Sequence, residues 1–465
     1  MIRTSIVTTI LCLVPVLASA QTGTSPGLAG LLPGLILREV VLPSATHGAH
    51  FSPLSVNDPT NPAVEIVETF NKQLVVQLST VPLGSSSGGF TYTFDPAVGT
   101  FSRASRSFGP AFAERALTVG RGRFNAGMNF QHLSYDSFED RNLDNGSIRF
   151  YLRHAECCTA GGPTGPPTFG IINTPNGTRF DPFFEGDLIQ TALSLKAKTD
   201  TVVFFGNYGL TDRLDIGVAV PVVRVELDAT MVATILRLAT GTAPIHTFEA
   251  GNLAASERTF TASGSATGLG DIVLRSKYRI VGDASAALAG AVDVRLPTGD
   301  KDNLLGAGAQ AKVFLIMSRD NGRWGQHVNV GYNFANGELD AVAPLGASAV
   351  DVPDEFNYTA GVEFVAESRV TLIGDIVGRV LRDAGRLTPR MKTFEFIEGA
   401  GGPRSSAEFE EFDPREASLH VLMGTAGVKY NPVGNLLINA SVLVPLTKSG
   451  LRSKVGAVVG IDYAF

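Results

Sequence analysis

The sequence has little charge, little cysteine and no long apolar run after its first twenty residues, and each shortage excludes a class of protein. Charged residues make up 18% of the chain and leave a formal net charge of −6, so a nucleic-acid-binding protein with a basic surface is not indicated. Beyond residue 20 there is no apolar stretch of the roughly 18 residues that a spanning helix needs. The mean hydropathy of +0.15 is also too low for a multi-helix membrane protein.

Cysteine and histidine are too scattered to predict a metal site or a catalytic centre. Of the three cysteines, the two beyond residue 20 are the adjacent Cys157 and Cys158. An adjacent pair closes only a strained ring or bridges to another chain, and two thiols without histidine support are a weak zinc signal. We interpret the pair as a loop feature without chemistry. Residues 300–303 lack the glycine and distal glutamate of a calcium loop, so no enzyme, cofactor or metal is expected.

The first twenty residues have the three parts of a secretory signal peptide. Arg3 supplies the positive charge, residues 6–17 the apolar centre, and residues 18–20 the Ala-Ser-Ala cleavage site. We therefore expect a signal peptide over residues 1–20 and a mature chain that begins near Gln21. The protein is predicted to be exported and to have no spanning helix.

The C-terminal stretch has the pattern of a strand with one lipid-like face. Counting back by twos from Phe465 gives Tyr463, Ile461 and Val459, whereas the opposite face is small or polar and includes Asp462. Successive side chains of a strand point to opposite faces, and nothing follows that would cover the apolar one. This pattern is typical of the closing strand of an outer-membrane β-barrel. It predicts a C-terminal assembly signal formed by Ile461, Tyr463 and Phe465.

The same alternation recurs along most of the chain. In residues 271–281, for example, the apolar Leu274 and Tyr278 alternate with Arg275 and Lys277. Counting back from the C-terminus, short connections alternate with longer ones, as expected for periplasmic turns and extracellular loops. The chain is therefore predicted to be all-β: a transmembrane antiparallel β-barrel of about 14 strands, with 12 as the alternative, in the bacterial outer membrane.

Three segments depart from the regular pattern. The barrel is predicted to span residues 64–465 and to begin with a hairpin over residues 64–104. Residues 21–63, rich in Pro, Gly and Leu, form an N-terminal segment that is either a plug or a periplasmic extension. Beside Pro221 the apolar face changes sides, which indicates a bulge and marks a candidate strand irregularity for a side opening. Residues 231–240 have the composition of a short helix.

One face of the predicted strands collects charged side chains, which a barrel tolerates where they meet water or a partner. Lys196 and Lys198 are assigned to this face. Two interpretations stay open: a basic track that guides an anionic head group such as a carboxylate or phenolate, or cross-strand salt bridges that fill the barrel. The candidate lumen-facing substrate path consists of Arg275, Lys277, Arg279, Asp293, Arg295, Lys312, Glu363, Asp375 and Arg379.

Several motifs follow one another in a characteristic order. They are F-F-G-N-Y-G-L-T-D-R-L-D-I-G at 204–217, G-L-G-D at 268–271 followed by K-Y-R at 277–279, L-P-T-G-D at 296–300 and N-L-L-G at 303–306. Over roughly residues 110–465 the chain resembles the outer-membrane transporters of the meta-pathway phenol degradation type, which are similar in architecture to FadL-like barrels. The resemblance implies fourteen strands and an N-terminal plug.

The barrel pattern and the resemblance lead to one functional expectation with two alternatives. We expect a monomeric outer-membrane channel for passive uptake of hydrophobic or aromatic small molecules. The alternatives are a general diffusion porin for polar solutes and a structural or adhesive surface barrel. The expected partners are outer-membrane lipids, the barrel-assembly machinery and the hydrophobic substrate, with no nucleic acid.

Overall fold

The computed structural model describes most of the chain. The described residues are 27–36, 38, 40–42, 49–52, 62–80, 82, 84–85, 89–95, 100–155, 171–174, 177–180, 186–241, 246–339, 350–398 and 403–465. The predicted signal peptide and the Cys157–Cys158 pair lie outside them. None of the helices in this part of the chain is long and apolar enough to cross a membrane.

The described residues form two helices and 26 strands. The helices are α1 (Leu28–Ile36) and α2 (Pro62–Ser79). The strands are β1 (Val40–Leu42), β2 (Ala49–Ser52), β3 (Tyr92–Asp95), β4 (Thr100–Arg103), β5 (Phe124–Phe138), β6 (Arg141–Asn142), β7 (Ile148–Ala155), β8 (Ile171–Thr174), β9 (Gly177–Phe180), β10 (Leu188–Gly209), β11 (Leu214–Leu236), β12 (Glu257–Leu269), β13 (Val273–Gly282), β14 (Ala286–Arg295), β15 (Ala309–Asn321), β16 (Trp324–Asn336), β17 (Glu338–Leu339), β18 (Val350–Asp351), β19 (Glu355–Glu367), β20 (Val370–Leu381), β21 (Arg386–Ile397), β22 (Arg404–Arg415), β23 (Leu419–Tyr430), β24 (Leu436–Pro445), β25 (Leu451–Ser453) and β26 (Gly456–Ala464).

Twelve of these strands close into a ring. In order around the wall they are β5, β10, β11, β13, β14, β15, β16, β19, β20, β23, β24 and β26, each antiparallel to the next. β26 then pairs with β5, from Ala457 opposite His132 to Ala464 opposite Asn125, which leaves the ring without an edge. The predicted antiparallel β-barrel is confirmed, with the alternative count of twelve strands.

The outer face of the ring is apolar, and the short connections lie together at one end of it. Each wall strand presents at least two large apolar side chains outward, among them Phe204, Leu315 and Ile461, which are 48%, 53% and 41% exposed. Such a belt matches the hydrocarbon layer of a membrane. Short turns such as residues 322–323 and 368–369 close the opposite side from the longer loops, as the alternation of connection lengths predicted.

The wall changes its pairing beside Pro221. β11 pairs with β10 in unbroken register through Val203 opposite Pro221, so the predicted one-residue slip is absent on that side. The irregularity lies on the other side of β11. There Ala219 pairs with Val273 of β13, whereas Val222 pairs with Leu269 of β12. β12 and β13 therefore follow one line along β11, interrupted at residues 270–272, and only β13 continues the ring to β14.

The switch of the apolar face at this level has an environmental cause. We call the short-turn side of this level the lower half and the long-loop side the upper half. In the lower half, β11 points Ile216 and Val218 outward to the lipid belt. In the upper half, its outward side chains include Arg224 and Glu226, and its inward ones include Val225. The register is constant, so the surroundings have changed: lipid gives way to water outside, and polar lumen gives way to an apolar core inside. The same inversion occurs in β5 and β10.

Lys196 and Lys198 belong to this upper outer face. Both are exposed on β10, opposite Asp228 and Glu226 of β11, so their predicted place in the lumen is wrong. The strand β11 continues to Leu236, so the predicted helix over residues 231–240 is wrong as well. Its composition fits a strand because its inward face packs in the upper core.

Both helices pack inside the upper half of the ring. Ile36 of α1 and Phe70 and Leu74 of α2 are fully buried in one core with inward side chains of the wall, including Leu195 and Leu227. The predicted barrel hairpin over residues 64–104 is therefore wrong. Its first part is α2, whose buried positions recur at helical spacing, and its last part is the separate small hairpin β3–β4.

Candidate functional site

A segment of irregular chain, residues 105–123, crosses the lumen at the short-turn end; we call it the crossing segment. Its backbone N–H groups are bound by inward side chains of several wall strands. Glu363 accepts from Gly109 at 2.8 Å, and Asp375 accepts from Ala111 and Phe112 at 2.8 and 2.9 Å. Because a backbone without regular structure must have its polar groups satisfied when buried, these carboxylates replace the missing secondary structure.

Basic wall residues bind the carbonyl groups of the same segment. Lys277 Nζ donates to the carbonyls of Arg115 and Leu117 at 3.2 and 2.9 Å, and Lys429 Nζ donates to that of Pro110 at 2.8 Å. Inward charges of both signs thus hold the crossing segment by its main chain. Several of the predicted substrate-path residues are occupied in this way.

The strongest single attachment is a buried ion pair. Arg115 of the crossing segment is 2% exposed and donates to Glu363, which is fully buried, at 2.9 Å. Glu363 is also joined to His327, whose other ring nitrogen contacts Ser318 at 2.8 Å. A charge buried this deeply is tolerated because it is paired and hydrogen-bonded.

An arginine beside a pair of aromatic rings joins the small hairpin β3–β4 to the crossing segment. The Arg103 guanidinium lies 4.9 Å and 4.4 Å from the ring centroids of Phe90 and Phe108. Burial, with the nearby Arg115 charge adding to it, lowers the pKa of Arg103 to about 10. Arg103 therefore stays protonated at neutral pH and keeps its cation–π contacts.

Between the helices and the crossing segment lies a cavity of about 160 Å³, which we call the central cavity. Thr80 and Gly84 border it above, and Phe112 and Glu114 of the crossing segment border it below. Its side walls come from nine strands, β5, β10, β11, β13, β14, β15, β16, β19 and β20. The lining mixes aromatic, amide and charged side chains, so it is suited to a small molecule with both an apolar and a polar part.

Charged groups of the cavity lining are paired in two sets. Arg275 donates to both oxygens of Asp293 at 2.5 and 2.6 Å and also to Glu114 of the crossing segment. Arg379 donates to both oxygens of Glu355, at 2.8 and 2.5 Å, and to Thr80 at 2.7 Å. These pairs fit the interpretation of lumen charges as salt bridges.

The predicted path residues therefore separate into three groups. Lys277, Glu363 and Asp375 hold the crossing segment, and Arg279 donates to the carbonyl of Asp212 at the short-turn rim. Arg275, Asp293 and Arg379 form the ion pairs at the cavity wall. Arg295 and Lys312 line the cavity, and among the described residues no hydrogen bond or ion pair occupies either of them.

Sequence reasoning missed the residues that come from the inside of the ring. Glu114 and Arg115 lie in a stretch without strand or helix periodicity, so their pattern indicated nothing. Gln310 and Asn329 are inward wall residues whose alternation was visible, but amides carry no charge signal. A long irregular segment with fully buried Arg and Glu is recognisable only once the barrel is closed around it.

Three motifs of the family resemblance, those at 268–271, 296–300 and 303–306, meet beside the interruption of the wall. Asp271 accepts from the N–H groups of Gly299 and Ala307, at 2.9 and 2.7 Å, and so fixes residues 296–308 against the end of β12. The same loop holds α1, because Ala29 donates to the carbonyl of Asp302 at 3.0 Å. The space next to Pro221 is therefore filled by this loop.

At the C-terminus, the predicted assembly-signal residues all face outward. Ile461, Tyr463 and Phe465 are 41%, 42% and 60% exposed. The rings of Tyr463 and Phe465 meet at a centroid distance of 4.8 Å, and Phe465 N–H donates to the carbonyl of Phe124 at 2.7 Å. Their role in assembly stays a prediction.

Comparison with known families gives one clear match. Residues 172–377, which are 206 of the 465 residues, match the model of a family described as "Putative MetA-pathway of phenol degradation". The predicted family resemblance is confirmed. Within the match lie the motifs around Asp271 and the strands that carry most of the cavity lining. None of the curated protein sequences matches the chain significantly.

Three of the solved structures similar to this chain have low sequence identity to it. An outer membrane channel from Pseudomonas putida F1 has 10% identity and a TM-score of 0.41, covering 75% of this chain and 98% of that one. The monoaromatic hydrocarbon channel CymD has 9% identity, a TM-score of 0.33 and coverages of 74% and 89%. A Pseudomonas aeruginosa FadL homologue has 10% identity, a TM-score of 0.31 and coverages of 74% and 90%. These TM-scores are too low to transfer a substrate or a residue role.

No group of three or more His, Cys, Asp or Glu side chains in the described part of the chain is arranged to hold a metal ion. The buried His246 and Asp187, 2.6 Å apart, are instead a structural pair, since Asp187 also accepts from the N–H groups of Ala239 and Thr240.

Proposed function

We propose that this outer-membrane barrel is a channel for passive uptake of hydrophobic or aromatic small molecules. The observation that carries the proposal is the central cavity: it lies inside a lipid-facing ring, has a volume of about 160 Å³ and is lined by Phe112, Phe205 and Phe314 beside polar groups. The match of residues 172–377 to a family described by a pathway of phenol degradation supports the same function.

Passage through the barrel requires internal parts to move. The crossing segment separates the cavity from the short-turn end, and the apolar core around α1 and α2 separates it from the long-loop end. Residues 296–308 fill the gap beside Pro221. We propose that one of these three elements moves when a molecule enters or leaves.

The filled lumen favours this channel over a general diffusion porin. A porin that passes polar solutes has a water-filled interior, whereas here the described residues occupy the lumen on both sides of a small cavity. A surface barrel acting through its loops would not need an aromatic lining inside the ring. The cavity therefore fits a structural or adhesive surface barrel less well than a channel.

Two measurements on the purified protein test the proposal. In planar bilayers we expect only small, brief currents, and in liposome-swelling assays we expect faster entry of benzyl alcohol than of a sugar of similar mass. Large steady currents without preference for the aromatic solute would instead support the porin. Empty liposomes measured in parallel give the rate of unassisted diffusion, which must be subtracted for any hydrophobic solute.

A further inference from the structure

The charge of the central cavity does not balance. Its lining contains four cationic side chains, Arg275, Arg295, Lys312 and Arg379, and three carboxylates, those of Glu114, Asp293 and Glu355. Four minus three leaves one uncompensated positive charge. The carboxylates are engaged by Arg275 and Arg379, so the excess is localised on the other two cations.

Arg295 and Lys312 face the cavity without a hydrogen-bond or ion-pair partner among the described residues, although Asp271 and Asp293 attract them from a longer distance. The contact found for Lys312 is with the Phe314 ring, whose centroid lies 4.8 Å from Nζ. A cation withdrawn from water whose N–H groups have no acceptor is costly to retain. Such a pair of cations in a cavity is therefore a candidate binding site for an anion.

A third donor points to the same place. Gln310, 8% exposed, lies directly opposite Arg295 in the pairing of β14 and β15. Its Oε1 accepts from Asn333 Nδ2 at 2.8 Å, whereas its Nε2 has no hydrogen-bond partner. A buried N–H donor without an acceptor indicates that a ligand atom belongs there.

The register places these three donors next to each other. Lys312 is opposite Asp293, and Arg295 is two residues further along the same inward face of β14. Diagonal neighbours of this kind are about 7–8 Å apart at the backbone, a span that the long Arg and Lys side chains cross easily. One carboxylate group can therefore be held by both cations and by the Gln310 amide.

The rest of the cavity fits a single aromatic ring. Phe205 and Phe112 line it together with Phe314, which has Arg275 5.2 Å and Lys312 4.8 Å from its ring centroid. An apolar protein cavity of about 150 Å³ is large enough for benzene, and this one measures about 160 Å³. The space and the ring contacts favour one ring over a long alkyl chain.

We propose that the central cavity is a binding site for a one-ring aromatic carboxylate of the benzoate type. The carboxylate is held by Arg295, Lys312 and the Gln310 amide, and the ring packs among Phe112, Phe205 and Phe314. A single negative charge matches the single excess positive charge. A simple phenol has a pKa near that of tyrosine, about 10, so it is uncharged at neutral pH and does not supply this charge.

The inference deepens the proposed function and rests on it for the route of delivery, but binding can be tested separately. Isothermal titration of the purified full chain in detergent would use benzoate, benzyl alcohol as the neutral ring and acetate as the anion without a ring. The test variant is Arg295→Gln with Lys312→Gln. The charge-matched control is Lys196→Gln with Lys198→Gln on the outer face of β10.

We expect benzoate to bind most tightly, and the double change in the cavity to weaken it about tenfold or more, since charge-assisted hydrogen bonds are lost. Benzyl alcohol binding should change less than twofold, and the control should behave as the unmodified chain. Unchanged benzoate affinity in R295Q/K312Q, or acetate binding as tightly as benzoate, would overturn the proposal. Heat-modified gel migration checks that each variant is folded.

A neutral change covers the case in which the double variant does not fold. Gln310→Met keeps the side-chain length and removes the unpartnered donor, and it should weaken benzoate binding several-fold without affecting benzyl alcohol. An equal effect on both compounds would contradict the inference. In parallel swelling assays, benzoate binding without entry of any aromatic solute would overturn the proposed function alone, whereas entry of benzyl alcohol with charge-independent benzoate binding would overturn this inference alone.

Discussion

A single buried side chain, that of Glu363, links the wall to the inside of the barrel. It accepts from the Arg115 guanidinium and from the Gly109 N–H and is joined to His327. Glu363→Gln would leave the Arg115 charge buried without a counter-ion. We expect it to lower the free energy of unfolding by roughly 3–5 kcal/mol, measured by urea denaturation in lipid vesicles.

Two companion variants make this prediction specific. Glu395→Gln, at an exposed position of the β21–β22 hairpin, should change the stability by less than about 0.5 kcal/mol. Adding Arg115→Met to Glu363→Gln removes the orphaned charge, so the double variant should be more stable than Glu363→Gln alone. If the single Glu363 variant is as stable as the unmodified chain, the pair does not hold the crossing segment.

At the residue scale, the sequence predicted which way a side chain points better than what it binds. Alternation placed Arg275, Lys277 and Glu363 inside, and the structure does so too. Their partners, however, are Glu114, Arg115 and the backbone around them, in a stretch without periodicity. Such a stretch gains its conformation only from the wall that encloses it, so no local pattern could indicate those contacts.

At the scale of one strand, β10 should tolerate charge differently along its length. Phe204 faces outward within the apolar belt and is 48% exposed, whereas Ser194 lies outward at the level of the upper core. Phe204→Arg should cost about 2–4 kcal/mol of stability, as for a charge placed in the lipid layer of a barrel. Ser194→Arg, on the same strand and face, should be close to neutral.

Urea unfolding of the two variants in the same vesicles checks this difference. Equal losses would mean that the lipid reaches the level of Ser194, and the explanation given for the change of face beside Pro221 would then fail. The matched pair separates depth from the chemistry of the substitution, since both variants introduce arginine on an outward position.

The errors at the element scale have two causes. Inside the upper half, Val225 and Leu227 meet an apolar core where a barrel rule expects a polar lumen. A sequence rule that assumes one lipid side and one water side assigns the change of face to a slip within β11, although β11 keeps its register with β10. The second cause is composition: α2 is rich in β-branched residues, but its buried Ile66, Phe70 and Leu74 are spaced as on one face of a helix.

At the scale of the whole molecule, transport should depend on movement of internal parts. Ser105 Oγ donates to Asp320 at 2.6 Å, so a disulfide between cysteines at these two positions would tie the start of the crossing segment to the wall. In a background with Cys157 and Cys158 changed to serine, the oxidised S105C/D320C protein should show lower aromatic uptake, and reduction should restore it. Each single-cysteine variant should respond to neither treatment.

Unaltered uptake by the oxidised protein would locate the moving element elsewhere, in the core around α1 and α2 or in residues 296–308. Migration of the protein on gels with and without reductant reports whether the bridge has formed. The two outcomes therefore show whether movement of the crossing segment is required for uptake.

The inverted strands have a consequence for how the protein responds to temperature. Wall strands β5, β10 and β11 and the two helices bury apolar side chains from water, as the core of a soluble domain does. In the belt below, by contrast, the apolar side chains face apolar lipid rather than a core closed off from water. Exposure of the upper core to water raises the heat capacity, so below its temperature of maximum stability this half should lose stability on cooling, whereas the membrane ring should not.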